Sequence, residues 1–179
     1  MNIIQNIIDL VNKENPKFDG KSLYIFEAKV LVNEKHNHDY NIKRNMLSIK
    51  NEKILYHGTP LKNIDNIISK NFVITEAYRG MDGHIGRGIY FSDMAEQSIY
   101  YCLKEKYIGN ETDFIILVCK VELGRCYEMK RTEETNNCSK QDNYDSHSTN
   151  YNFGHEYCLF DSDQIVPVCK LHLKVLNTS

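Results

Sequence analysis

Tryptophan is missing from the sequence, proline occurs only three times, and none of the six cysteines forms a C-x-x-C pair. The cysteine spacing removes zinc-ribbon and thioredoxin-like arrangements. Basic residues are not in excess: 22 Lys and Arg against 24 Asp and Glu leave a net charge of −2. Such a chain has no broad positive field for the DNA backbone or an anionic membrane, so direct DNA binding and membrane association are not expected. No apolar run approaches the about 18 residues of a membrane span. The opening stretch "MNIIQNIIDLVNKENP" lacks a basic leader and a small-residue cleavage site, and does not read as a signal peptide. The cysteines therefore read as reduced and mostly buried, which places the chain inside the cell, in cytoplasm or nucleus.

What is present is sufficient for one globular domain. The 179 residues are 41% hydrophobic, and twelve Tyr and seven Phe supply the large side chains that tryptophan does not. Ile3, Ile4, Ile7, Ile8 and Val11 recur at helical spacing up to a stop at Pro16. Residues 22–32 read as a strand, and the polar stretch 33–53 as a loop. A short strand at 54–56 leads through "HGTP" to a helix with Ile64, Ile67 and Ile68 on one face. A loop carrying Gly80, Gly83, Gly86 and Gly88 enters a strand at 89–91. A helix over 93–102 follows, with Asp93 at the dipole's positive end. "DFIILVCKVEL" (113–123) is the plainest strand, 128–154 reads as a long polar surface loop, and "EYCLFD" and "VPVCKLHLKVL" are strands joined by a turn at "SDQ". The class is α+β. Residues 1–50 form a helix, strand and loop packed on a core of 51–179, a single domain overall.

Three chemically capable residues fall at strand edges, each beside a glycine: His57 by Gly58, Tyr90 near Gly88, and Glu156 near Gly154. Glycine at such points allows close approach to the backbone, here read as approach by a ligand. Singly, a histidine after a strand, a tyrosine in a β-run and a glutamate before a strand are usually structural. Their flanks change the reading. "LYHGT", "GRGIYFSDMAEQSIYYC" and "EYCLFDSDQIVPVCKLHLKV" resemble, in order and spacing, the motifs of the poly(ADP-ribose) polymerase catalytic domain, from about Glu52 to Val175.

The resemblance implies an ADP-ribosyltransferase fold, two small packed antiparallel or mixed sheets with flanking helices around a cleft for NAD⁺, which is substrate. It implies that His57 and Thr59 contact the adenosine-side ribose and that Gly58 presents its backbone to the nicotinamide carboxamide. Tyr90 and Tyr101 would sandwich the nicotinamide ring, Ser98 would donate to the carboxamide, and Glu156 would be catalytic at the nicotinamide ribose, completing with His57 and Tyr90 the family's catalytic His-Tyr-Glu set. A carboxylate suits that place because glycosidic cleavage leaves positive charge on the sugar, and aromatic faces suit a pyridinium cation. The implied acceptor is a protein, including the chain itself, or a growing poly(ADP-ribose) chain, and nicotinamide mimics are expected to bind. Three positions depart from the polymerising pattern: Gln97 stands for a usual Lys, Gly154 for a usual Tyr, and His84 for an apolar residue. They bring forward mono-ADP-ribosyl transfer without elongation as an alternative, beside a silent module that only binds NAD⁺, ADP-ribose or a protein.

Other signals carry less. "GHIGRG" is not G-x-G-x-x-G and enters a strand, so a dinucleotide-binding turn is not read there. Asp145-Ser146-His147 has a triad's letters, but adjacent residues cannot converge on one proton path; Ser146 reads as structural. His36 and His38 lack further ligands and read as surface loop, and "LKEKYIGNETDF" has no cysteines, so no metal is expected.

Overall fold

The computed structural model describes residues 3–74, 84–102, 113–130, 138–151 and 154–176. Nine strands form one mixed sheet in the order β1-β2-β9-β5-β3-β4-β8-β7-β6. They are β1 (Lys17–Phe18), β2 (Lys21–Val30), β3 (Glu52–Gly58), β4 (Ile89–Ser92), β5 (Asp113–Glu122), β6 (Cys126–Glu128), β7 (Ser146–Tyr151), β8 (Gly154–Leu159) and β9 (Ile165–Val175). The described helices are α1 (Ile3–Glu14), α2 (Glu34–Met46), α3 (Leu61–Lys70) and α4 (Ala95–Cys102). Two sheets were expected. Their counterparts, β1-β2-β9-β5-β3 and β4-β8-β7-β6, join through a single registered pair, Tyr56↔Ser92.

β5 explains why the sheet holds. Its residues alternate between two apolar layers: Phe114, Ile116 and Val118 face one, and Leu117, Cys119 and Val121 the other. A strand buried on both sides reads as a near-continuous apolar run, as this one does. Ile7 and Val11 of α1 and Ala95 and Ile99 of α4 join the first layer, and Ile64 of α3 and Phe72 the second. Each fully buried aliphatic side chain contributes about 1.5–3 kcal/mol.

Two stretches depart from the sequence reading. Residues 34–46, expected as loop, form α2. Apolar periodicity could not reveal it, because only His36 and Tyr40 are buried. Its support is in directed contacts: the Asn33 side chain accepts from the His36 amide, beside an exposed Lys35–Asp39 pair at 2.5 Å that adds little. Lys43 reaches Asp161 at 2.8 Å, and Arg44 reaches the fully buried Glu122 at 2.8 Å. Within 128–154, expected as surface loop, Ser146–Tyr151 is β7, with Ser146, His147, Ser148 and Thr149 buried. Polar residues are tolerated inside because they are satisfied: Ser146 Oγ donates to the Leu123 carbonyl at 2.8 Å. His147 Nδ1 donates to the Ile85 carbonyl at 2.7 Å while its Nε2 accepts from the Gln141 amide at 2.8 Å. Gly80, Gly83 and the 103–112 segment lie outside the described residues.

Candidate functional site

β3 ends at the site. His57 is set between Phe72, 4.8 Å away edge-on, and Phe91, 5.4 Å away. Its Nδ1 lies 2.8 Å from the Tyr90 carbonyl, which can only accept, so Nδ1 carries the proton and Nε2 keeps a lone pair. Burial pushes the ring's pKa down to about 4, and the bond to Tyr90 only partly offsets this. The imidazole is therefore neutral near pH 7, a donor on one side and an acceptor on the other. Thr59, buried two residues on, accepts from Asn63 Nδ2 at 3.0 Å just ahead of and within α3.

Tyr90 is fastened at its phenol, which donates to the Gly86 carbonyl at 2.7 Å and accepts from the Ile85 amide at 3.0 Å. Its hydroxyl pKa is raised, chiefly by burial. The loop at 84–88 thus sets the ring as firmly as β4 does.

Registered partners on neighbouring antiparallel strands share a face. Tyr56 of β3, Ser92 of β4, Glu156 of β8 and Thr149 of β7 are successive partners and form one row across the sheet. α4 bonds directly to two of the four members and, through Glu14, to a third. Glu156 is 1% exposed, and its Oε1 accepts from the Tyr101 phenol at 3.0 Å. Ser92 Oγ donates to Gln97 Oε1 at 2.8 Å. Tyr56 donates its phenol to Glu14 Oε1 at 2.7 Å, and Glu14 Oε2 accepts from the Ala95 amide, the first residue of α4, at 2.9 Å. Ser98, on the same helix, is 2% exposed. The chain thus brings Glu156 to Tyr101, His57 to Tyr90, and Gly58 to Ser98.

The glycines at the strand edges also meet a packing demand. A Cβ on Gly58 would sit 1.7 Å from the Ser98 carbonyl oxygen, one on Gly88 2.3 Å from the Leu159 carbonyl oxygen, and one on Gly154 2.5 Å from Asp93 Oδ1. Their side-chain directions are filled by protein. Gly58 is the position that lets β3 touch the backbone of α4.

The helix-start reading of Asp93 is corrected. Asp93 Oδ1 accepts from the His155 amide at 2.8 Å, so its carboxylate ties β4 to β8. The carboxylate that accepts from the first amide of α4 is that of Glu14, 81 residues away in sequence, and Glu96 is the acid within the helix's first turn. No sequence signal marked it, because it ends an amphipathic helix where a solvated glutamate is ordinary. Thr149 was missed inside the supposed loop.

Asp145, Ser146 and His147 diverge, as their adjacency requires: Asp145 accepts from the Arg125 amide, while the other two bond to Leu123 and Ile85. His36 and His38 lie on α2 rather than in a loop, and His36 is buried, with its pKa lowered chiefly for that reason. Among the described residues, no group of three or more His, Cys, Asp or Glu is placed to hold a metal ion. All six cysteines are free thiols; Cys119, Cys158 and Cys169 are buried and the rest half-buried. No helix among the described residues is long and apolar enough to cross a membrane.

Comparison with known proteins identifies the family. A family model described as the poly(ADP-ribose) polymerase catalytic domain matches residues 3–174. It takes in α1 and β2, which the motif resemblance from Glu52 onward did not reach. The chain is 34% identical over 85 residues to protein mono-ADP-ribosyltransferase PARP4 of Mus musculus, covering 44% of this chain and 4% of that protein. It is 34% identical over 83 residues to poly [ADP-ribose] polymerase 2 of Arabidopsis thaliana, covering 46% of this chain and 13% of the other. Against poly [ADP-ribose] polymerase 1 of Oryza sativa it is 28% identical over 124 residues, 68% of this chain and 12% of the other. The matches thus span at most 13% of these three relatives' lengths. With the family model spanning nearly the whole chain and an α+β architecture consistent with the ADP-ribosyltransferase fold, the chain belongs to the poly(ADP-ribose) polymerase catalytic domain family.

Proposed function

We propose that this chain cleaves the nicotinamide glycosidic bond of NAD⁺ and transfers ADP-ribose to a protein acceptor. The observation that carries the reading is the buried Glu156 carboxylate, held by the Tyr101 phenol in a row that also contains Ser92 and Thr149. The donor set fits such a substrate. His57 Nε2 can accept from a ribose hydroxyl, the Ser98 hydroxyl can bond a carboxamide, and Tyr90 and Tyr101 offer aromatic faces to a pyridinium.

As the C1′–N bond breaks, its electron pair leaves with nicotinamide and positive charge develops on the ribose. Glu156 opposes that charge more strongly in the transition state than before it, which is the condition for rate enhancement. The acceptor's oxygen or nitrogen then bonds to C1′ and gives up its proton, for which Glu156 is the available base. Tyr101 orients the carboxylate, and the bond from His57 to the Tyr90 carbonyl fixes the opposite wall. Nicotinamide mimics would occupy the Tyr90, Ser98 and Tyr101 end. An open hollow lined by Glu128, Met129, Lys130, Thr149 and Asn150 lies on the β7 side of the row, where an acceptor segment could enter. Free thiols throughout fit a reducing compartment.

Two observations favour single transfer over elongation. Gln97, uncharged and 5% exposed, is turned inward to Ser92. The space a larger residue at Gly154 would need is taken by Asp93 and Met94. Incubation of the purified chain with labelled NAD⁺ tests both levels. A sharp labelled band on a denaturing gel is expected, a smear would establish elongation, and no label would overturn the transferase reading.

A further inference from the structure

We propose that Glu14 is a positioning residue for the site, clamping α4 in the place where Ser98, Tyr101 and Gln97 meet the sheet; the inference rests on the transferase reading for its catalytic consequence. Glu14 is the last residue of α1, yet its carboxylate reaches two elements distant in sequence, the Tyr56 phenol on β3 and the first amide of α4. Tyr56 precedes His57, and Ala95 lies one helical turn before Ser98. One carboxylate therefore fixes the spacing between the strand that carries His57 and the helix that carries Ser98 and Tyr101.

That spacing is tight, because Gly58 meets the Ser98 carbonyl without room for a methyl group. α4 is only eight residues long and needs outside partners to persist. An acidic group at its N-terminus satisfies an amide that has no intrahelical acceptor and favours the dipole. The same segment holds the helix elsewhere. The Lys17 amide donates to Glu96 Oε2 at 3.1 Å, and the Phe18 ring packs 5.5 Å from Tyr100. Removing the carboxylate would leave the Tyr56 hydroxyl and the Ala95 amide without it, and α4 would loosen at the end nearest Gln97 and Ser98.

The test compares Glu14→Ala, Glu14→Gln and Ile7→Val. Glutamine can restore the clamp, since its oxygen accepts from Ala95 while its amide donates to the lone pair of the Tyr56 hydroxyl. Ile7→Val trims the buried face of the same helix without touching either bond. Amide exchange across Ala95–Cys102 is expected to rise about tenfold in Glu14→Ala and to stay at the wild-type rate in the other two. At a temperature where all variants are folded, kcat/KM for NAD⁺ should fall about tenfold in Glu14→Ala alone. Wild-type exchange in Glu14→Ala overturns the clamp, and so does an equal loss in Ile7→Val at equal stability. Faster exchange with unchanged kcat/KM overturns the positioning role. A wild-type chain inert toward NAD⁺ sinks the transferase reading instead, while the exchange arm still decides whether Glu14 holds α4.

Discussion

The two halves of the sheet are built on different principles. Around β5 and β9 the interior is aliphatic and aromatic, with Phe114, Ile116, Val118, Leu171 and Leu173 at 1% exposure or less. Around β4, β8 and β7 the buried positions include Ser92, Glu156, Thr149, Ser148, His147 and Ser146. The first half draws stability from area removed from water, which many residues can supply. The second also buries Ile89, Phe91, Tyr157 and Leu159, but adds directed bonds to named partners, and a carboxylate kept there is costly to bury. The expectation is that the first half sets most of the stability and that the second holds Glu156, the carboxylate of the proposed reaction.

The widest separation between the halves should come from Glu156→Gln. An amide oxygen can still accept from Tyr101, so the row keeps its shape, but the negative charge is gone. Nicotinamide release should fall about 10²- to 10³-fold while the thermal midpoint holds or rises. A variant that unfolds, or one that keeps its rate, breaks the division of labour.

The converse substitution is Leu171→Ala, on β9 between β2 and β5. A cavity at this fully buried site should remove about 2–5 kcal/mol of stability, read by denaturant titration. The rate per folded molecule should stay within about twofold. A large kinetic loss at full folding would show that the apolar half also shapes the site.

A smaller effect sits on the border, where β3 meets β4 at His57. Its folded-state pKa of about 4 lies below the ordinary value of 6.5. The unfolded chain takes up a proton there as pH falls through 6.5, and the folded chain does so only near 4. The stability that depends on the neutral ring is whole above pH 6.5 and is lost as pH falls toward 4, by about 3 kcal/mol in all. His36 and His147 shift in the same direction, and Glu14 in the opposite one. The informative measurement is therefore the stability of wild type minus that of His57→Gln at each pH. This difference should grow between pH 4 and 6.5, and a flat difference would mean that the ring is not held neutral.

The same contrast decides what could be read in the sequence. β5 and β9 announce themselves because burial on both faces leaves an apolar run, and α1 and α3 because burial on one face leaves a helical stripe. Motif order singled out His57, Tyr90, Ser98, Tyr101 and Glu156 as candidates, and the fold brings His57 to Tyr90, Tyr101 to Glu156 and Ser98 to Gly58. Hydrophobicity could not reveal β7, whose buried residues are polar, nor Glu14, whose partners lie 42 and 81 residues away. The packing role of Gly58, Gly88 and Gly154 was not legible, since sequence does not say which protein atoms fill the space beside a glycine. Asp93 was misassigned because an acid before a helix has two outlets, the helix amides or a neighbouring strand, and the choice is made in three dimensions.

α2 gives the finest test, because it is the helix with the weakest apolar pattern and stands or falls on directed contacts. Asn33 caps it through the His36 amide at 3.2 Å and also donates from Nδ2 to the Ile68 carbonyl at 3.3 Å, tying α2 to α3. Asn33→Ala should cost about 1 kcal/mol, the usual worth of an N-cap. Lys35→Ala, in the first turn, breaks an ion pair whose lysine is 81% exposed, and should leave the midpoint of unfolding where it was. If the two substitutions cost the same, helix-start geometry is not what nucleates α2. The packing of Tyr40 beneath Lys120, whose ammonium lies 4.6 Å from the ring centre, would then be its chief support.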